Sequence, residues 1–297
     1  MRGRSPLTRV RNEGSYKTIS FFKDTYDVTW LCEIVGVARS SYYKWLNRVK
    51  PKYQVKNERV LNEIIECYEM SNKTYGYRRI TMNLNRYTGS NHSYNYIYRL
   101  MRAYNIRSII RRKKPGYIKS SPDYVADNIL ARDFSASKPN QKWLSDVTEF
   151  KANNGQKVYL CAIMDLYDNS IVSYNINNSS NNYQLFKTFN KAIELNPNAK
   201  PIFHSDRGYQ YTSKRFKKML DKQEITHSMS RVGKCIDNGP IENLWGIIKT
   251  EMFYIKNFNN AKEIEIAIDD YIEFYNKVRL QSKLKSHTPI EYRNMAI

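Results

Sequence analysis

Trp143-Leu144-Ser145-Asp146-Val147-Thr148-Glu149-Phe150, followed after Asn153-Asn154-Gly155 by Val158-Tyr159-Leu160-Cys161-Ala162-Ile163-Met164-Asp165, is the stretch on which the fold depends. The first run alternates, with the period of two that turns one face of a strand inward. The second is a near-continuous apolar run, suited to a central strand buried on both faces. Asn-Gly between them is a hairpin signal. Outward from this pair, Ser170 to Ile176 reads as a third strand. A helix over 182–195, a strand Pro201 to His204, a helix over 213–222 and a strand Ile225 to Ser228 follow, with helices near 238–252 and 261–276. Three strands in series, then alternating helices and short strands, predict an α/β domain with a mixed sheet over 139–297.

Upstream the period becomes helical. Leu31, Ile34 and Val35 share one face before Gly36, a stop signal, and Ser40 is placed to cap a second short helix through Trp45 and Leu46. A further helix covers 55–70. Tyr75 to Leu84 and a helix begun by Ser93 complete a second helical group, with Arg78, Arg79, Arg86, Arg99 and Arg102 interleaved among tyrosines. Residues 29–106 are thus expected to be a helix-turn-helix-like region that binds DNA. Residues 1–28 show no sustained period and are expected to be a flexible basic lead. Residues 107–138, with Arg111, Arg112, Lys113 and Lys114 before Pro115-Gly116, are expected to be a basic linker whose side chains track phosphates; a solvated charged loop is the alternative.

Charge divides the chain in the same place. The 297 residues carry a formal +21; residues 1–120 hold 25 basic and 8 acidic side chains, residues 121–297 hold 24 and 20. A basic front on a nearly balanced back suggests a polyanion partner and two tasks. The 25 tyrosines and 30 asparagines suit base stacking and hydrogen bonding, although A+T-rich codons account for the same enrichment. The longest apolar run, Val158 to Met164, is 7 residues, far below the roughly 20 that span a bilayer. No secretory signal is visible, and four scattered cysteines without a C-x-x-C pair point away from disulfides and structural zinc, toward a reducing cytoplasm.

Three carboxylates stand out against the basic background. Asp146 falls within the first strand, and Asp206 just past a later one, in His204-Ser205-Asp206-Arg207-Gly208. Glu242 rides the flank of a helix whose stripe is Ile241, Leu244, Trp245, Ile248 and Met252. Lys249, seven residues on, shares its azimuth to within about 20°. Such a set suits a hard divalent pair in phosphoryl transfer, with the lysine holding a DNA phosphate. Asp165 and Asp168 compete as ligands, though a strand end and turn favour Asp for backbone reasons. His204 and His227 end separate strands and read as structural.

These residues resemble a known family. Trp143 to Thr148, His204 to Tyr211, and Ser228 to Arg231 through Asp237-Asn238-Gly239-Pro240-Ile241-Glu242 to Lys249 look like the second-reading-frame (OrfB) transposases of insertion-sequence family three, whose catalytic core is similar to that of retroviral integrases. Tyr75 to Ile80 resembles the family's small helical domain, and Tyr42-Tyr43-Lys44-Trp45 its N-terminal segment. The resemblance covers roughly residues 29–289. It implies a ribonuclease-H-like mixed-sheet core preceded by small all-α regions, with Asp146, Asp206 and Glu242 as catalytic, metal-binding triad. It also implies Mg²⁺ as cofactor, with Mn²⁺ able to substitute. DNA contacts are expected at Lys249, Arg78, Arg79, Arg111, Arg112, Lys113 and Lys114. The family has a His where this chain has Gln281, which puts the C-terminal helix's DNA contact in question.

The expected function is a DDE transposase that cuts at its element's inverted-repeat ends and joins them to target DNA in the bacterial cytoplasm. It would act as a homo-oligomer on DNA, away from membranes. A first-frame protein with a helix-turn-helix and leucine zipper is the implied partner or fusion, since no heptad zipper is visible here. Two alternatives remain at this level: a non-catalytic DNA-binding product that occupies element ends and represses transposition, and a nuclease acting on RNA–DNA hybrids.

Overall fold

A computed structural model describes residues 6–47, 51–110, 126–231 and 235–296. The chain divides into two compact units, residues 1–62 and 63–297.

In the first unit, α1 (Pro6–Phe22), α2 (Val28–Val35) and α3 (Arg39–Leu46) precede α4 (Lys52–Met70), which begins here and ends in the second unit. Residues 6–22 are therefore a helix rather than the expected flexible lead. The reason is packing that no periodic stripe announces: Ile19 is wholly buried in a cluster with Leu31, Cys32 and Tyr42, and Tyr16 lies against Trp45. Asp27 caps α2, its carboxylate accepting from the Thr29 and Trp30 N–H groups at 2.7 and 3.2 Å. Gly36 ends α2 with φ of 68°, as expected. Ser40, expected to cap α3, lies inside it. Ala38 is the N-cap, its carbonyl already accepting from Ser41 and Tyr42.

In the second unit, α5 (Tyr77–Tyr87) packs on α6 (Tyr94–Ala103), burying Ile80, Leu84, Ile97 and Leu100. Ser93 caps α6 as expected. The sheet follows: β1 (Lys142–Lys151), β2 (Lys157–Asp165), β3 (Ile171–Asn177), α7 (Asn182–Leu195), β4 (Ile202–Ser205), α8 (Lys214–Lys222) and β5 (Thr226–Met229). Then come α9 (Gly239–Ile248), α10 (Ala261–Lys277) and α11 (Pro289–Asn294). Strand order is β3-β2-β1-β4-β5, with β1 antiparallel to β2, β2 to β3, and β4 parallel to both β1 and β5. This is the ribonuclease-H-like mixed sheet expected from the sequence. Its faces follow the period of two. Leu144, Leu160 and Ala162 pack toward α9 and α10, while Trp143, Cys161 and Ile163 pack toward α7 and α8.

Two boundaries differ from expectation. The α5–α6 pair belongs to the same compact unit as the sheet, so residues 29–106 are not one separate region. Residues 107–138 are not simply a linker. Ser108 bonds to the Thr74 carbonyl at 2.7 Å, and Leu130, 2% exposed, is built into the core with its N–H on Ser228 Oγ at 3.0 Å. A charge-rich composition hid a few anchoring apolar residues. Arg111, Arg112, Lys113 and Lys114 lie outside the described residues.

Candidate active site

Register brings the first two carboxylates together. Parallel β1 and β4 pair Ser145 with Ser205, so Asp146 and Asp206, the next residue of each, fall side by side on one face. There β4 ends while β1 runs on to Lys151. The unpaired edge opens a recess of about 210 Å³ lined by Asp146, Thr148, Tyr159, Ser180, Asp206 and Gln210.

Each carboxylate is held by its own support. Asp146 Oδ2 accepts from the Trp245 indole N–H at 2.8 Å. Asp206 Oδ1 accepts from the Gly208 N–H at 2.9 Å. A Cβ on Gly208 would lie 3.0 Å from that same oxygen and 3.1 Å from Gln210 Oε1, so a larger residue there would push both side chains back by a few tenths of an ångström. Arg207 fastens the turn to the Ser230 carbonyl at 2.7 Å. Burial first, then the charges of Asp206 and Glu242, push the Asp146 carboxyl up to about 7. Burial also raises Asp206, against the opposing Gly208 hydrogen bond.

Glu242 projects from the first turn of α9, where the helix dipole favours an anion. It is near enough to act on Asp146 but does not line the recess. Among the described residues, no three His, Cys, Asp or Glu side chains gather closely enough to hold an ion unaided. The two aspartates form the converged pair and Glu242 is the outlying member.

The rival ligands are accounted for. Asp165 and Asp168, both fully buried, share the Arg293 guanidinium at 2.9 and 2.8 Å. His204 bonds to the Ser228 and Ser230 hydroxyls at 2.9 and 3.1 Å, and His227 to Ser205 at 3.2 Å. All four sit in structural networks.

The expected DNA contacts separate. Arg78 is exposed, its guanidinium 5.7 Å from the Tyr77 ring centroid. Lys249 does not line the recess; its ammonium lies 5.3 Å from the Phe150 centroid, four residues along β1 from Asp146. Arg79 is committed to protein, since its guanidinium meets Glu251 at 2.7 Å. Its neighbours in sequence suggested a phosphate contact, but its helical position turns it inward. Sequence reasoning also missed Trp245 as partner of Asp146, because a tryptophan in an apolar stripe signals only packing.

The integrase core domain family matches residues 136–235, a second integrase core domain family matches 242–297, and an HTH-like domain family matches 56–114. InsK, described as a transposase for insertion sequence element IS150 in Escherichia coli (strain K12), is 37% identical over 280 residues, covering 94% of this chain and 97% of that protein. The chain belongs to the insertion-sequence transposases. Transposase InsF for insertion sequence IS3A of the same organism, 25% identical over 94% of this chain and 98% of its own length, agrees with the family-three, second-frame type. The HTLV-2 integrase catalytic core domain in complex with magnesium aligns with a TM-score of 0.42 and 21% identity, over 53% of this chain and 98% of that one. By its family matches and its transposase relatives, the transposase belongs to the class of proteins that transpose and integrate DNA. Among its described residues no helix is long and apolar enough to cross a membrane.

Proposed function

We propose that this transposase cleaves DNA at the ends of its element and joins the 3′ ends to target DNA by metal-assisted phosphoryl transfer. The observation that carries this is the pairing of Asp146 with Asp206 at the open edge of β1, with Glu242 within electrostatic reach. Carboxylates held together against their own repulsion, in a site that raises Asp146 to about 7, suit a hard divalent cation and fit it by donor chemistry. Asp146 and Asp206 would hold Mg²⁺, or Mn²⁺ in its place, and Glu242 would complete the set. Bound there, the cation supplies charge neutralisation at the phosphoryl oxygens and activation of the attacking oxygen.

The chain's own residues do the rest. Trp245 fixes the Asp146 carboxylate through one oxygen, and the Gly208 N–H does the same for Asp206. Arg78, Lys249 and the basic residues 111–114 would contact DNA phosphates. Two ends must be cut and joined together, so the active form is a homo-oligomer on double-stranded DNA. A first-frame protein with a helix-turn-helix and zipper is its partner.

The test is strand transfer with purified protein, that partner, end DNA and Mg²⁺ or Mn²⁺. Asp206→Asn is expected to lose about 10²–10³-fold in rate, the range for removing one group that stabilises transition-state charge, while DNA binding persists. Equal yields with and without the substitution would refute the assignment and leave a DNA-binding, non-catalytic product.

A further inference from the structure

The helix that carries Glu242 is gripped at both ends by a buried acid. Before α9, Asp237 is fully buried. It accepts from Arg231 Nε and Nη2 at 2.9 Å each, from Arg132 Nε at 2.7 Å and from Asn128 at 3.1 Å. After α9, the rod continues as a π turn, Lys249–Phe253, closed by a Tyr254 N–H to Lys249 carbonyl bond of 2.8 Å. In that turn Glu251 is the second grip. Arg279 meets it through two bonds of 2.9 Å, Tyr271 OH at 2.7 Å and Arg79 Nη1 at 2.7 Å. The arginines hold the Glu251 carboxyl down at about 2 despite its burial.

Of these partners, Arg79 comes from α5, 172 residues away in sequence. Arg86, seven residues on and so on the same helical face, makes a second strut, to Glu291 at 2.8 Å and the Ser286 carbonyl at 3.1 Å. Arg78, Arg99 and Arg102 stay exposed. The basic residues of the helical pair thus sort into an inward face that holds protein and an outward set open to solvent.

We propose that Arg79 is a positioning residue: through Glu251 it fixes the rod that presents Glu242, so that docking of α5 and alignment of the catalytic helix are one event. α9 is seated on the sheet through Ile241, Leu244, Trp245 and Ile248, and Arg279 and Tyr271 hold Glu251 from the α10 side; Arg79 adds the tie from α5. The π turn lacks the regular ladder that would stiffen this end of the rod by itself, so the added tie restrains the remaining play of α9. The inference rests on Glu242 acting in the site, as proposed above.

The experiment uses the full chain free of DNA and metal, and reads hydrogen exchange of the α9 amides. Arg79→Met should speed exchange over residues 241–248 with Arg79→Lys in between. Strand transfer should fall about 10–100-fold, the range for losing a group that orients a metal ligand, and need more Mg²⁺. DNA affinity and its salt dependence should not change. Unchanged α9 exchange with a salt slope smaller by about one would make Arg79 a phosphate contact and overturn the proposal. So would a lower melting temperature with α9 exchange unchanged. Should Arg79→Met fail to fold, Arg79→Lys alone must show the same changes, smaller. If Glu242→Gln leaves strand transfer intact, the catalytic reading fails, while α9 exchange still reports on the grip.

Discussion

Asp146 shows what the site costs the fold. Unfolded, its carboxyl titrates near 3.8; folded, at about 7. Above about pH 7 it is ionised in both states and the folded protein bears the full penalty of burial and of the Asp206 charge. Below about pH 4 it is protonated in both states and the penalty vanishes. Asp146→Asn should therefore raise the melting temperature of the metal-free protein at pH 8 by at least about 2–4 °C, the shift that 1 kcal/mol produces in a domain of this size. At the acid end of that window the two proteins should melt together. Calorimetry at the two pH values checks it; an equal rise at both would trace the gain to packing instead of charge. Asp146 was legible as a residue within a strand, and Asp206 as one just past the end of another. That they adjoin was not, because adjacency depends on the β1–β4 register.

At the scale of elements, α11 shows how a short helix can be essential. It has six residues, opened by Pro289 and a capping box between Thr288 and Glu291. Arg293 in its last turn reaches Asp165, Asp168, Asn140 and Asn196. It thereby closes the turn between β2 and β3 over two carboxylates with no exposed surface. Arg293→Met should cost about 3–5 kcal/mol in denaturant unfolding, since it leaves both acids buried beside each other without their cation. A loss below about 1 kcal/mol would mean that the acids take up protons or water instead. The strands, α7, α8 and α10 were legible within a residue or two, because each carries a clean period between turn signals. Residues 6–22 and 126–138 were not, because a few scattered anchors, Tyr16 and Ile19 in the first and Leu130, Phe134 and Ala136 in the second, hold them without making a sustained period.

Across the whole molecule the charge asymmetry takes on a structural meaning. Residues 1–62 hold 13 basic and 5 acidic side chains and form their own unit. A protein starting at residue 52, which keeps α4 whole, should unfold at the same temperature as the core of the full chain. Its DNA binding should be weaker and less salt-dependent, measured by titration across salt concentrations. A core that no longer folds would show that the two units are not independent. What the sequence determined by itself is local: the two periods, the turns, the caps at Gly36 and Ser93, the basic front, and a motif spacing that already named the family and the fold. What only the tertiary structure decided is pairing. Arg79 could have faced a phosphate or a carboxylate, and Asp165 could have been a ligand or an anchor. Each was resolved by a partner more than 100 residues away, Glu251 and Arg293 respectively. Local propensity carries no information about such partners. They are chosen when the sheet sets its register and the helices pack, because a buried charge must then find its opposite or forgo burial.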